Sequence, residues 1–129
     1  MLSYRHSFHA GNHADVVKHL VQVAVLNYLL KKDKPFCYHD SHAGAGLYSL
    51  LGEQAQKTAE FETGIGKLWH YQAQQPALKR YIELVKQLNT DDELAFYPGS
   101  PKIAALMLRD NDSIQATELH PTDYPILAS

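Results

Sequence analysis

Cysteine is nearly missing from this chain of 129 residues: Cys37 is the only one. No internal disulfide can form, and a reducing, cytoplasmic setting is the simplest expectation. Long apolar runs are missing too. The longest, LVQVAVLNYLL at residues 20–30, is about half of what a bilayer span requires, and Gln22 and Asn27 interrupt it. The opening MLSYRHSFHAGNHADV sets no charged region before an apolar one, so it carries no signal-peptide pattern. There is no repeat and no low-complexity tract. Charge of one sign is not in excess either. The net is −2 at pH 7, which argues against a basic nucleic-acid coat. What is left is one ordinary domain, long enough to bury a core without disulfides or metals.

The distribution of charge says more than its total. Residues 1–34 hold Arg5, Lys18, Lys31, Lys32 and Lys34 against Asp15 and Asp33, a net of +3, which leaves −5 for the remainder. His6, His9, His13 and His19 also fall in the first nineteen positions. A cationic, histidine-rich arm on an acidic body points to an anionic partner. Histidines four apart on a helix can share a metal ion. Here, however, His9 and His13 straddle Gly11 and the helix cap Asn12, and the neighbours Lys18 and His19 point in different directions. No metal is expected. Hydrogen bonding and stacking beside a polyanion fit the arm better, with a plain surface arm as the alternative.

Asn12 followed by Asp15 resembles a capping box, and Val16, Val17, Leu20, Val21, Ala24 and Tyr28 follow at helical spacing. The helix is apolar on most sides and is expected to be largely buried. Lys34-Pro35 stops it. PFCYHD reads as a short strand ending at Asp40, SHAGAG as a turn, and LYSLL as one or two turns of helix. Residues 52–97 look like a different unit. FETGIGKLWHYQ has helical character, and PALKRYIELVKQLN is the clearest helix, with Pro76 in its first turn. Ser100-Pro101 is a start signal for PKIAALML, serine as cap and proline at the first helical position. SIQATEL reads as a second strand ending at Glu118. Two strands, each followed by a helix, begin a parallel α/β sheet, but such a sheet normally has both faces covered. The expectation is therefore the N-terminal portion of a larger α/β protein.

The turn DSHAGAG, Asp40 to Gly46, lies where such sheets bind ligands, at the carboxyl ends of the strands. Glycine belongs where a ligand must approach without meeting a Cβ. A dinucleotide fingerprint needs a third glycine at position 49, which is Ser49, so a nicotinamide cofactor is disfavoured. No Lys-Ser/Thr pair follows, which excludes a phosphate-binding P-loop. In another register, Asp40-x-His42-x-Gly44-x-Gly46 follows the acidic-x-Gly-x-Gly-x-Gly turn of S-adenosylmethionine-dependent methyltransferases, with His42 in place of the first glycine. A plain strand-to-helix turn is the alternative, and the motif alone leaves both open. Glu118, an acid at the end of the next strand, could accept hydrogen bonds from both ribose hydroxyls of an adenosyl group. Such an acid usually follows the turn by about 20 residues. The longer gap here is explained if residues 52–97 are an insertion, and a strand-end carboxylate in water is the alternative.

The opening MLSYRHSFHAGNHADVVKH, with DSHAGAG, YPGSP and TELHPTDYP, closely resembles the RlmJ family of 23S ribosomal RNA adenine-N6 methyltransferases over the whole chain. The resemblance implies an α/β fold, the N-terminal portion of a Rossmann-like S-adenosylmethionine-dependent methyltransferase core with a helical insertion. Residues 1–51 would hold the arm, first helix, first strand and glycine turn. Residues 52–97 would be the insertion, and 98–129 would resume the core. It further implies that His19, His42, Ser100 and Glu118 contact S-adenosylmethionine beside Gly44 and Gly46, and that Tyr4, His6 and Lys18 line the route of the RNA base. The implied partner is 23S ribosomal RNA, with no metal, no membrane, and a monomer when complete. The family's Asp-Pro-Pro-Tyr catalytic motif is absent from these residues, so no catalytic residue is expected among them. The rival expectations are a non-catalytic RNA-binding module and a nicotinamide oxidoreductase.

Overall fold

Helix α1 (His13–Leu30) begins where the capping pattern places it. The extended N-cap Asn12 accepts a hydrogen bond from the Asp15 N–H through Oδ1 at 2.9 Å. The Asp15 carboxylate reaches back past the cap and accepts from the Gly11 N–H at 2.9 Å, so the entry turn is tied on both sides. In this computed structural model, residues 9–40, 46–52, 55–56, 59–90 and 92–116 are described.

The expectation that α1 is largely buried is corrected. Its buried residues are Asp15, His19, Val23 and Leu26, whereas Val17, Val21, Val25 and Tyr28 are 50–59% exposed. Apolar character alone does not choose the inward face. Asp15 and His19 have hydrogen-bond partners inside, at Gly11 and Tyr97, which offset part of the cost of burying them. Their helical phase then turns the valine stripe outward.

Strand β1 (Cys37–Asp40) follows. It pairs in parallel with β4 (Ser113–Ala116), Cys37 opposite Ser113 and Asp40 opposite Ala116. Arg109 and Asp112 set that register. The guanidinium donates to the Lys32 and Lys34 carbonyls and to Asp112, while Asp112 Oδ1 accepts from the Phe36 N–H at 3.0 Å. The first N–H of β4, from Ser113, then donates to the Phe36 carbonyl.

LYSLL is not a helix. Leu47–Ser49 forms β2, antiparallel to β3 (Phe96–Pro98), with Tyr48 opposite Tyr97. Tyr48 and Leu50 are buried between exposed Leu47, Ser49 and Leu51, and that alternation is a strand period. Between β2 and β3 come a 3-10 turn (Glu60–Thr63), the one-turn helix α2 (Ile65–Leu68) and the longer α3 (Pro76–Gln87). Gln75 caps α3 through the Leu78 N–H, and Ala77, Tyr81, Ile82, Leu84 and Val85 are buried. Helix α4 (Ser100–Met107) corrects the expected cap by one residue. Gly99 is the N-cap, Ser100 is the first helical residue and Pro101 the second.

One apolar cluster joins these pieces, with Val23 and Leu26 from α1, Tyr81 and Val85 from α3, Tyr97 from β3 and Ile103 from α4. Helix α4 packs against both β1 and β4. Cys37 and His39, which alternate with half-buried Tyr38 and Asp40, are exposed. Among the described residues, no helix is long and apolar enough to cross a membrane.

Candidate cofactor site at the strand ends

The carboxyl end of β1 is a knot of polar side chains drawn from three elements. The Ser100 hydroxyl, on the first turn of α4, donates to the Asp40 carboxylate. Tyr38 Oη donates to the same oxygen at 3.1 Å. Gln22 of α1 donates through Nε2 to the Ser100 carbonyl at 2.9 Å and to Tyr38 Oη at 3.1 Å. Because a carbonyl only accepts, the contact with Ser100 decides which end of the Gln22 amide is nitrogen. Its Oε1 is then a buried acceptor with no hydrogen-bond partner among the described residues. Burial, and then the neighbouring Asp40 charge, pushes the Tyr38 phenol up to about 12, so at neutral pH it is a donor. The N-terminal end of α4 also favours a carboxylate beside it.

A second set of polar groups lies next to the first. His19, one helical turn before Gln22, is 1% exposed. Its Nδ1 is 2.6 Å from Tyr97 Oη, which is 2.8 Å from Tyr81 Oη. The backbone closes the arrangement, since the Gly46 carbonyl accepts from the Gly99 N–H at 2.9 Å. The end of the glycine turn is thereby fastened to the β3–α4 junction.

Of the residues that sequence reasoning assigned to a cofactor, His19, Gly46 and Ser100 converge on residues 97–100. His19 reaches Tyr97, and Gly46 reaches Gly99. His42, Gly44 and Glu118 lie outside the described residues, as do Tyr4 and His6 from the expected RNA route. Lys18 is exposed on α1, on a different face from buried His19. His9 of the arm sits against Glu60, with Nδ1 at 3.0 Å from Oε2, and Asn12 donates to the same carboxylate. Among the described residues, no group of three or more His, Cys, Asp or Glu is placed to hold a metal ion.

Sequence reasoning missed Gln22, Tyr38 and Tyr97 as parts of this site. Gln22 had a signal: a polar residue three positions after His19 in an otherwise apolar helix shares its face. Tyr38 and Tyr97 had none, because a tyrosine in a short apolar strand reads as packing.

The resources for an adenosyl ligand are acceptors and donors at the end of a parallel strand pair. Asp40 lies opposite Ala116, so β1 and β4 end side by side. The buried Gln22 Oε1 is an acceptor for which such a ligand has donors. These residues fit the group.

Comparison with known proteins gives the same direction. A family profile described as "Ribosomal RNA large subunit methyltransferase D, RlmJ" matches residues 33–129. The chain is 56% identical over 129 residues to "Ribosomal RNA large subunit methyltransferase J" of Escherichia coli (strain K12), covering all of this chain and 46% of that protein. It is 51% identical over 128 residues to the protein of that name from Haemophilus influenzae, covering 98% of this chain and again 46% of the relative. A crystal structure from Legionella pneumophila, of a protein placed in the DUF519 family, superposes with a TM-score of 0.85 at 39% identity, over 93% of this chain and 44% of that one. The chain thus spans less than half the length of each relative. It belongs to the RlmJ family of ribosomal RNA large-subunit methyltransferases.

Proposed function

We propose that this chain is the cofactor-binding portion of an S-adenosylmethionine-dependent enzyme that methylates the exocyclic N6 of an adenine in 23S ribosomal RNA. The observation that carries this reading is the 56% identity, along the whole chain, to a ribosomal RNA large subunit methyltransferase. The parallel pairing of β1 with β4 supports a Rossmann-like core. The β2–β3 pairing supports an insertion, because it brings the chain back beside residues 47–49 after the intervening helices. In this reading residues 1–51 and 98–129 belong to the core and 52–97 to the insertion.

When bound, S-adenosylmethionine supplies a methyl already activated on sulfur, which the adenine N6 takes with loss of a proton to water. The protein's part is alignment. Gly44 and Gly46 let the backbone approach the ligand without a Cβ. Glu118 accepts from the ribose hydroxyls. Ser100 and His19 complete the pocket, held by Asp40 and Tyr97 respectively. Tyr4, His6 and Lys18 meet the RNA, where an unstacked base is held by hydrogen bonds and aromatic stacking.

Calorimetric titration with S-adenosylhomocysteine and, separately, NADH tests the reading. The chain should bind the first and not the second, and Glu118→Ala should weaken that binding by about 1.5–3 kcal/mol, the range for charged hydrogen bonds. Binding of NADH would return the oxidoreductase alternative. Binding of RNA with no response to S-adenosylhomocysteine would favour a non-catalytic module.

A further inference from the structure

The hydrogen bonds at the carboxyl end of β1 have a fixed direction, because the network ends on groups that only accept. The Ser100 carbonyl takes one proton of the Gln22 amide at 2.9 Å, and Tyr38 Oη takes the other at 3.1 Å. Having accepted from Gln22, the Tyr38 phenol gives its own proton to Asp40 Oδ2 at 3.1 Å. The Ser100 hydroxyl gives its proton to the same oxygen, and a carboxylate has none to return. Every polar side-chain proton of Gln22, Tyr38 and Ser100 is thus used inside the knot. What is left over is an acceptor. Gln22 Oε1 is buried with no hydrogen-bond partner among the described residues, although the nitrogen of the same amide has two. An unpaired buried amide oxygen is costly. This one lies against the end of a parallel strand pair, where such sheets bind ligands.

We propose that Gln22 is a further cofactor contact, whose Oε1 accepts a hydrogen bond from the ammonium group on the amino-acid end of S-adenosylmethionine. This rests on the reading of the strand ends as the cofactor site, and names the cofactor group that meets α1. The cofactor's carboxylate only accepts, and the side chains of the knot have no proton left to offer it. Its ribose hydroxyls and adenine amine donate but are neutral. The ammonium both donates and carries positive charge. The Asp40 carboxylate, linked to Gln22 through the Tyr38 hydroxyl, favours a cation nearby. Turning the Gln22 amide over would set its oxygen against the Ser100 carbonyl oxygen in place of the 2.9 Å bond. Gln22 is therefore held as an acceptor, and it selects for a ligand with an amino group.

Calorimetric titration of the full chain with two ligands is the test: S-adenosylhomocysteine, and its analogue with hydrogen in place of the ammonium. The unsubstituted chain should bind the first about ten- to hundredfold more tightly, the range for a hydrogen bond to a charged group. Equal affinities overturn the proposal, and are the result expected if water serves Oε1. Gln22→Met removes the acceptor at similar side-chain length. It should weaken S-adenosylhomocysteine binding about tenfold more than it weakens binding of the analogue. Equal losses would make Gln22 only a brace for the Ser100 carbonyl, and overturn the contact. If Gln22→Met does not fold, the side-chain amide resonances of Gln22 in the unsubstituted chain decide. They should move on saturation with S-adenosylhomocysteine and stay in place with the analogue, and equal movement overturns the contact. A chain that binds neither ligand overturns the cofactor reading and this contact with it, whereas one that binds both alike overturns the contact alone.

Discussion

Gly64 has no room for a side chain. A Cβ there would overlap the Gly11 carbonyl oxygen and the Asn12 backbone, while the Ile65 N–H donates to that same carbonyl at 2.9 Å. Gly11 adds a positive φ of 76°, which only glycine adopts freely. This backbone-to-backbone contact fastens the entry of α1 to the turn before α2. Gly64→Ala should lower stability by about 1–3 kcal/mol, the usual range for overpacking, read as a lower urea midpoint. An unchanged midpoint would mean that the segment yields at no cost. In the sequence Gly64 reads only as a defect in a helical stretch, because the residue that it makes room for is 53 positions earlier. The site shows the same division. Gly46 and Ser100 can be singled out from local spelling, whereas Tyr97 acquires a role only from what α1 brings to it.

Two elements show what decides a helix face and a strand register. On α1 the stripe Val17, Val21 and Val25 is half exposed while Val23 is fully buried. Val23→Ala should cost this chain about 1.5–3 kcal/mol by removing packed methyl groups, whereas Val21→Gln should stay within about 0.5 kcal/mol. Equal costs in thermal unfolding would show that the face is assigned wrongly. At the β1–β4 junction, the Arg109 guanidinium holds the Asp112 carboxyl down at about 2, from an ordinary value of 3.8, aided by the Arg109 and Phe36 N–H groups against an opposing effect of burial. A depressed carboxyl contributes stability above its unfolded value and loses it as pH falls through the folded one. The contribution of Asp112 should therefore be intact at pH 5 and fade between about pH 4 and 2. Asp112→Asn should lower the melting temperature at pH 7 by more than it does at pH 2, where about half of the folded Asp112 carboxyl is protonated. A constant difference across that range would remove the ion pair from the account. The existence and type of α1, α3, β1, α4 and β4 were all legible from period and caps. LYSLL was not, because five residues support one helical turn and a short strand about equally until β3 arrives as a partner.

At the scale of the whole molecule, a parallel pair of strands carries a polar knot at its carboxyl end, beside an interior that joins α1, α3 and α4. The chain holds no Asp-Pro-Pro-Tyr motif, so no group on it is assigned to accept hydrogen bonds from the adenine amine. Alignment supplies up to about 7–11 kcal/mol of barrier reduction in the best cases. We therefore predict that this chain binds S-adenosylhomocysteine but transfers no methyl group to unmodified 23S ribosomal RNA in a radiolabel assay. Turnover by the purified chain would place the amine-aligning group within residues 1–129. The sequence by itself determined the α/β class, the strand before the glycine turn, the capped start of α1 and the family resemblance. All of these are written in short-range order: periodicity, caps and contiguous motifs. Only the tertiary structure decided that the valines of α1 face outward, that residues 47–49 pair with 96–98, and that Gln22, Tyr38, Tyr97 and Tyr81 surround the residues of the site. These depend on which buried polar groups find partners, and such partners lie as much as 78 residues apart, as His19 and Tyr97 do, a separation that no local pattern encodes.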